Sequence, residues 1–102
     1  LVSDAEKVEA AGAAALVLEC VPAKVAAKIA GALKIPVIGI GAGVDVDGQV
    51  LVLQDLLGAN PGFKPKFLRK YADLSSSIGQ ALDRYHEDVQ SGAFPDRCES
   101  YA

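Results

Sequence analysis

Methionine and tryptophan are absent from this 102-residue chain, histidine occurs once, cysteine twice, and aromatic residues make up only 6%. His86 is the single histidine, and no hydrolase triad is read around it. That residue stands beside Asp83, Glu87 and Asp88 and reads as an exposed side chain rather than a catalyst. Cys20 and Cys98 are too far apart for a metal or redox spacing, so they read as free thiols of a reducing, cytoplasmic compartment. No apolar run reaches the roughly 18 residues of a membrane helix. The longest, Ala10–Leu18, is broken by Gly12 and stopped by Glu19. No amino-terminal signal pattern is present. A net charge of -3 gives no reason to expect nucleic acid or an anionic membrane as partner. What is present is ordinary: 51% hydrophobic and 23% charged residues exclude intrinsic disorder.

Strand and helix signals alternate along the chain. Ser3-Asp4-Ala5-Glu6 has the form of a capping box, and Gly12 suits the end of the helix it opens. Ala14–Leu18 reads as a short strand buried on both faces. Pro22 fits a first helical position. A helix over Ala23–Leu33 follows, its apolar stripe formed by Val25, Ala26, Ile29, Ala30 and Leu33. Pro36–Ile40 is a second strand, leading into the glycine-rich turn Gly39–Gly43. Val50–Leu53 is expected to be a third strand or an extended turn. A helix is expected to start over Pro65–Tyr71, and a longer one to run from Leu74 to Gln90, closed by Gly92. Parallel βα units follow from this alternation. Three strands close neither a doubly wound sheet nor an eight-stranded barrel. The expectation is therefore a piece of a larger α/β fold, as the lack of an initiator methionine also implies. Against a barrel of about 250 residues, this length is roughly two-fifths.

In parallel α/β folds, ligands sit at the carboxyl ends of strands. Glu19 ends the run Ala-Leu-Val-Leu-Glu at such a position. A half-buried carboxylate there has a raised proton affinity and suits a general base. The alternative is a structural glutamate that pairs with a lysine or caps the next helix. Gly41 and Gly43 lie at the second strand's end, where glycine lets a ligand approach the backbone. The turn is not a dinucleotide fingerprint, because the spacing would require glycine at Val44. A tight turn without ligand is its alternative reading. Asp45 and Asp47 read as a solvated loop and Asp55 as a helix cap, since their spacing has no calcium-loop pattern. Lys64, Lys66, Arg69 and Lys70 oppose the dipole of the helix expected there and read as a solvated face.

Taken in order, Leu16-Val17-Leu18-Glu19-Cys20-Val21-Pro22, then Ile35-Pro36-Val37-Ile38-Gly39-Ile40-Gly41-Ala42-Gly43, Asp47-Gly48-Gln49-Val50-Leu51-Val52 and Asp55-Leu56-Leu57-Gly58 resemble the ketopantoate hydroxymethyltransferase family. Lys64-Pro65-Lys66-Phe67 and Gly92-Ala93-Phe94-Pro95 extend the likeness over nearly the whole chain, against the carboxyl-terminal part of the family. The resemblance implies that residues 1–102 are the carboxyl-terminal segment of one (βα)8 TIM barrel of the phosphoenolpyruvate/pyruvate type. It implies transfer of a one-carbon unit from 5,10-methylenetetrahydrofolate to 3-methyl-2-oxobutanoate, giving 2-dehydropantoate for pantothenate and coenzyme A. It implies Mg2+ held by two aspartates outside this segment, with no metal ligand here, and a homo-oligomer. Of the family's functional residues only the proton acceptor carries over, onto Glu19; Gly41 and Gly43 are expected to bind substrate from their strand-end position alone. Gln54 stands where many members have histidine. A related metal-dependent carbon–carbon lyase and a non-catalytic α/β binding module are the alternative functions.

Overall fold

The computed structural model describes all of Leu1–Ala102. In chain order the elements are α1 (Val2–Ala10), β1 (Leu16–Glu19), α2 (Ala23–Ala32), β2 (Val37–Ile40), β3 (Gly48–Gln49), α3 (Leu53–Leu56) and α4 (Leu74–Ser91). The sheet has the order β1-β2-β3 and is parallel throughout. The chain is thus an α/β structure built from βα units. Two compact units form, Leu1–Leu53 with Lys64–Arg69, and Gln54–Phe63 with Lys70–Ala102.

In the first unit, helices cover one face of the sheet. Leu18 and Val37 are buried on that face with Ala5, Ala26 and Ile29 of the helices. The helical period of α2 brings Ala26 and Ile29 to one side, where both lose essentially all contact with water. In a strand, successive side chains point to opposite faces. Val17 and Glu19 therefore share the other face, and both are exposed. The expected burial of the first strand on both faces is not found, because no element of this unit covers that second face.

The amino-terminal capping box is not formed either. The α1 helix begins at Val2 with Leu1 as N-cap and no side-chain cap bond, which leaves Ser3 inside the first turn. Glu9, at the other end of α1, has a long-range role. Its Oε1 accepts from the backbone N–H of Lys34 at 2.6 Å and of Ile35 at 3.0 Å, tying the helix to the α2–β2 link. Pro22 is the N-cap of α2 rather than its first residue, with ψ 133°, and its carbonyl accepts from Val25 and Ala26.

The third strand lies earlier than expected, at Gly48–Gln49, and Leu53 already opens α3. Asp47 decides this register. Its Oδ2 accepts from the Val37 N–H at 2.8 Å, while its own N–H donates to the Val37 carbonyl at 2.9 Å. The chain leaving β2 is thereby pulled back beside the start of that strand and runs parallel to it. Asp47 is a structural clip, not a free loop carboxylate.

The expectations for Pro65–Tyr71 and for α4 have different outcomes. No helix forms over 65–71; a single turn bond joins the Leu68 N–H to the Pro65 carbonyl. Four cations in the span Lys64–Lys70 would crowd the positive end of such a helix. The α4 helix forms as expected, with Asp73 as N-cap and Gly92 in the left-handed conformation at its end. Asp73 accepts from the Ser76 N–H at 3.3 Å and from the Ser76 hydroxyl at 2.6 Å. Those two bonds, the hydroxyl's foremost, hold its carboxyl below the usual range. No residue of α4 is buried. Asp55 lies within α3 and is buried, rather than capping a helix.

Candidate functional site

Glu19 is the last residue of β1 and pairs in register with Ile40, the last of β2. The Cys20 N–H donates to the Ile40 carbonyl at 2.9 Å. Cys20 itself takes φ 55°, a left-handed backbone unusual for a residue with a side chain. That turn ends the strand abruptly and sends the chain through Pro22 into α2. Glu19 is exposed, not half-buried as expected from position. It stands on the helix-free face of an edge strand, so nothing in this chain desolvates it.

Beyond Ile40 the glycine turn doubles back. Gly41 has φ 65° and Gly43 φ 86°, values that side-chain-bearing residues rarely adopt. Space also requires glycine at both. A methyl group at Gly41 would come within 2.8 Å of the Phe67 ring, and one at Gly43 within 2.5 Å of Ala23 Cβ. The Gln49 side chain donates to the Gly43 carbonyl at 2.7 Å and holds the turn from the third strand.

These pieces frame an open cleft of about 900 Å³. Cys20 and Pro22 line it from the β1–α2 link, and Gly41 and Gly43 from the turn. Lys66, Phe67 and Arg69 close another side. The structure therefore brings Gly41 and Gly43 into one cleft, with Glu19 one residue outside the lining. Of the four basic residues read as a solvated face, all are exposed, but Lys66 and Arg69 face this cleft. Sequence reasoning missed Gln49 and Phe67. Their placement depends on pairing and packing between distant segments, for which local spacing carries no signal.

Asp45, Asp47 and Asp55 do not converge. No group of three or more His, Cys, Asp or Glu side chains comes together to hold a metal ion. No helix is long and apolar enough to cross a membrane. Cys20 and Cys98 are both free.

The sequence profile of ketopantoate hydroxymethyltransferase matches residues 1–97. The chain belongs to the ketopantoate hydroxymethyltransferase family. Among similar proteins, a 3-methyl-2-oxobutanoate hydroxymethyltransferase of Bdellovibrio bacteriovorus is 60% identical over 92 residues, covering 90% of this chain and 35% of that protein. One of Chlorobaculum tepidum is 54% identical over 101 residues, covering 99% of this chain and 36% of the relative. One of Parabacteroides distasonis is 55% identical over 101 residues, again 99% of this chain and 37% of the relative. The chain thus spans little more than a third of the length of the curated relatives it matches.

Proposed function

We propose that a full-length family chain bearing this sequence transfers a hydroxymethyl group from 5,10-methylenetetrahydrofolate to 3-methyl-2-oxobutanoate, giving 2-dehydropantoate on the way to pantothenate and coenzyme A. Residues 1–102 then form the carboxyl-terminal part of one (βα)8 barrel of the phosphoenolpyruvate/pyruvate type. The observation that carries the reading is Glu19. Within a chain of this family it ends a parallel strand, on the sheet's helix-free face, beside a turn built on two left-handed glycines. In a closed barrel that face is the interior.

The chemistry assigned to these residues is short. The Glu19 carboxylate removes the proton on carbon 3 of the 2-oxoacid, and the electron pair moves into the keto group. Carbon 3 of the enolate then forms a bond to the folate-borne carbon. As that bond forms, one of the two carbon–nitrogen bonds of the methylene carbon breaks and its nitrogen takes the proton carried by Glu19. Water then displaces the second nitrogen, leaving its hydroxyl on the carbon and its proton on that nitrogen, and tetrahydrofolate leaves. The backbone of the Gly41–Gly43 turn is assigned to the substrate's side of the site, while the space its missing side chains leave is taken by Phe67 and Ala23. Mg2+ does not fit any set of side chains in this chain. Its ligands are assigned to the part of the family chain not spanned here, and no step is routed through it. A homo-oligomer in the cytoplasm completes the reading. The free thiols support the compartment. The apolar stripe of α4, exposed at Ile78, Leu82, Tyr85 and Val89, supports the assembly.

The test follows carbon-3 proton exchange of 3-methyl-2-oxobutanoate by NMR, without folate, in the full-length chain. Glu19→Gln keeps the shape and loses the proton acceptor, so exchange is expected to fall about 10²–10⁴-fold. Exchange at the unsubstituted rate in that variant would show that Glu19 is not the base. The lyase and the non-catalytic module have no observation in their favour.

A further inference from the structure

We propose that Lys66, Phe67 and Arg69 make the cleft beside Glu19 the seat of the aryl-glutamate tail of the reduced folate, with the two cations taking its carboxylates. This rests on the one-carbon transfer proposed above and assigns the donor's side of it to named residues.

Size comes first. About 900 Å³ of open cleft lies within the roughly 300–1,000 Å³ typical of sites for drug-sized ligands. A branched five-carbon 2-oxoacid fills only a small part of that. The cleft therefore has room for a second, larger reactant.

Charge narrows its class. The chain as a whole carries -3, yet the cleft lining holds two cations and no carboxylate. Within residues 1–102 neither cation lies within ion-pair distance of a carboxylate. An unpaired guanidinium offers a planar fork of donors that matches a carboxylate, and an ammonium beside it adds a second positive centre. Two carboxylates on one ligand, as at a glutamate terminus, answer that arrangement.

Shape and position complete the argument. The Phe67 ring is seated against Gly41, close enough that a methyl group there would come within 2.8 Å of it. Between the cations in sequence, it gives the cleft an aromatic surface suited to an arene. At the opposite side the lining reaches Cys20, the residue after Glu19. A donor lying in the cleft thus has its anionic end at Lys66 and Arg69 and its other end toward the strand terminus where the enolate forms.

The experiment is calorimetric binding of tetrahydrofolate and of tetrahydropteroate, which lacks the glutamate, to the full-length chain. Both cations are exposed, so Lys66→Gln and Arg69→Gln remove no core packing. Each substitution is expected to raise the tetrahydrofolate Kd about tenfold, the scale of a charge-assisted hydrogen bond. Tetrahydropteroate, whose single carboxylate sits on the arene short of the glutamate, is expected to weaken less, so the double variant distinguishes the two ligands less well. Equal weakening of both ligands, or no change in either, would overturn the subsite. Carbon-3 proton exchange by the unsubstituted chain is measured alongside. Exchange present with unaltered folate discrimination sinks the subsite alone, whereas exchange absent sinks the one-carbon reading itself.

Discussion

The two units of this chain solve the problem of burying apolar surface differently. The first has a core: Leu18, Ala26, Ile29 and Val37 meet between sheet and helices. The second contains the longest helix, 18 residues, and not one of them is buried. Yet α4 is the better formed by local criteria. It has an N-cap with two bonds from Ser76 and a left-handed glycine at its end. Capping and helical periodicity make a helix without making a core. Most helical stability in proteins comes from packing an apolar face, and here that face stays exposed at Ile78, Leu82, Tyr85 and Val89, its one aromatic contact being the edge-on pair of Tyr85 with Phe94 at 5.4 Å.

The hardest test of this contrast concerns activity. The 102-residue chain by itself leaves one sheet face bare and holds no metal set. It is expected to form no 2-dehydropantoate, whereas a full-length chain is expected to form it. Product from the purified segment would break the claim that its site is incomplete.

Stability separates the units next. Ile29 is 1% exposed, and Ile29→Ala is expected to cost about 2–5 kcal/mol by loss of packing and creation of a cavity. Leu82 on α4 is 62% exposed, so Leu82→Ala in this chain is expected to change stability by no more than about 0.5 kcal/mol. Urea unfolding of both variants makes the comparison. In a full-length oligomer the Leu82 effect is expected to grow. The same small effect there would show that the stripe remains uncovered.

Acid provides the finest probe. The Ser76 hydroxyl and N–H favour the charged form of Asp73, so its carboxyl titrates below the ordinary 3.8 in the folded chain. The cap's contribution is then fully present above that ordinary value. It is lost as pH falls below 3.8 toward the folded value, because the folded state must take up a proton it binds weakly. Amide exchange at Ser76 is expected to rise over that window. In Asp73→Asn the rise should vanish; its persistence would assign the change to another group.

Several elements were legible because their signals are local. The Leu16–Glu19 and Val37–Ile40 strands are apolar runs ended by turn residues, and the stripe of Ala23–Ala32 has the helical period. Gly92 as a helix terminus and Gly41 and Gly43 as an open turn follow from the same local rules. What escaped depended on partners far along the chain. Glu9 bonds the backbone 25 residues away. Asp47 sets the third strand by gripping Val37. Phe67 and Arg69 reach the cleft through a segment whose expected helix does not form.

By itself, the sequence determined the alternation of strands and helices, the strand-end position of Glu19 and the family likeness carried by ordered motifs. These are properties of neighbours along the chain, set by periodicity, backbone freedom and chemical type. Tertiary structure alone decided which sheet face is bare, where the third strand pairs and which two of four cations meet the glycine turn. Those outcomes depend on hydrogen bonds and packing between segments that are remote in sequence. Their energies exist only once the chain has brought the segments together.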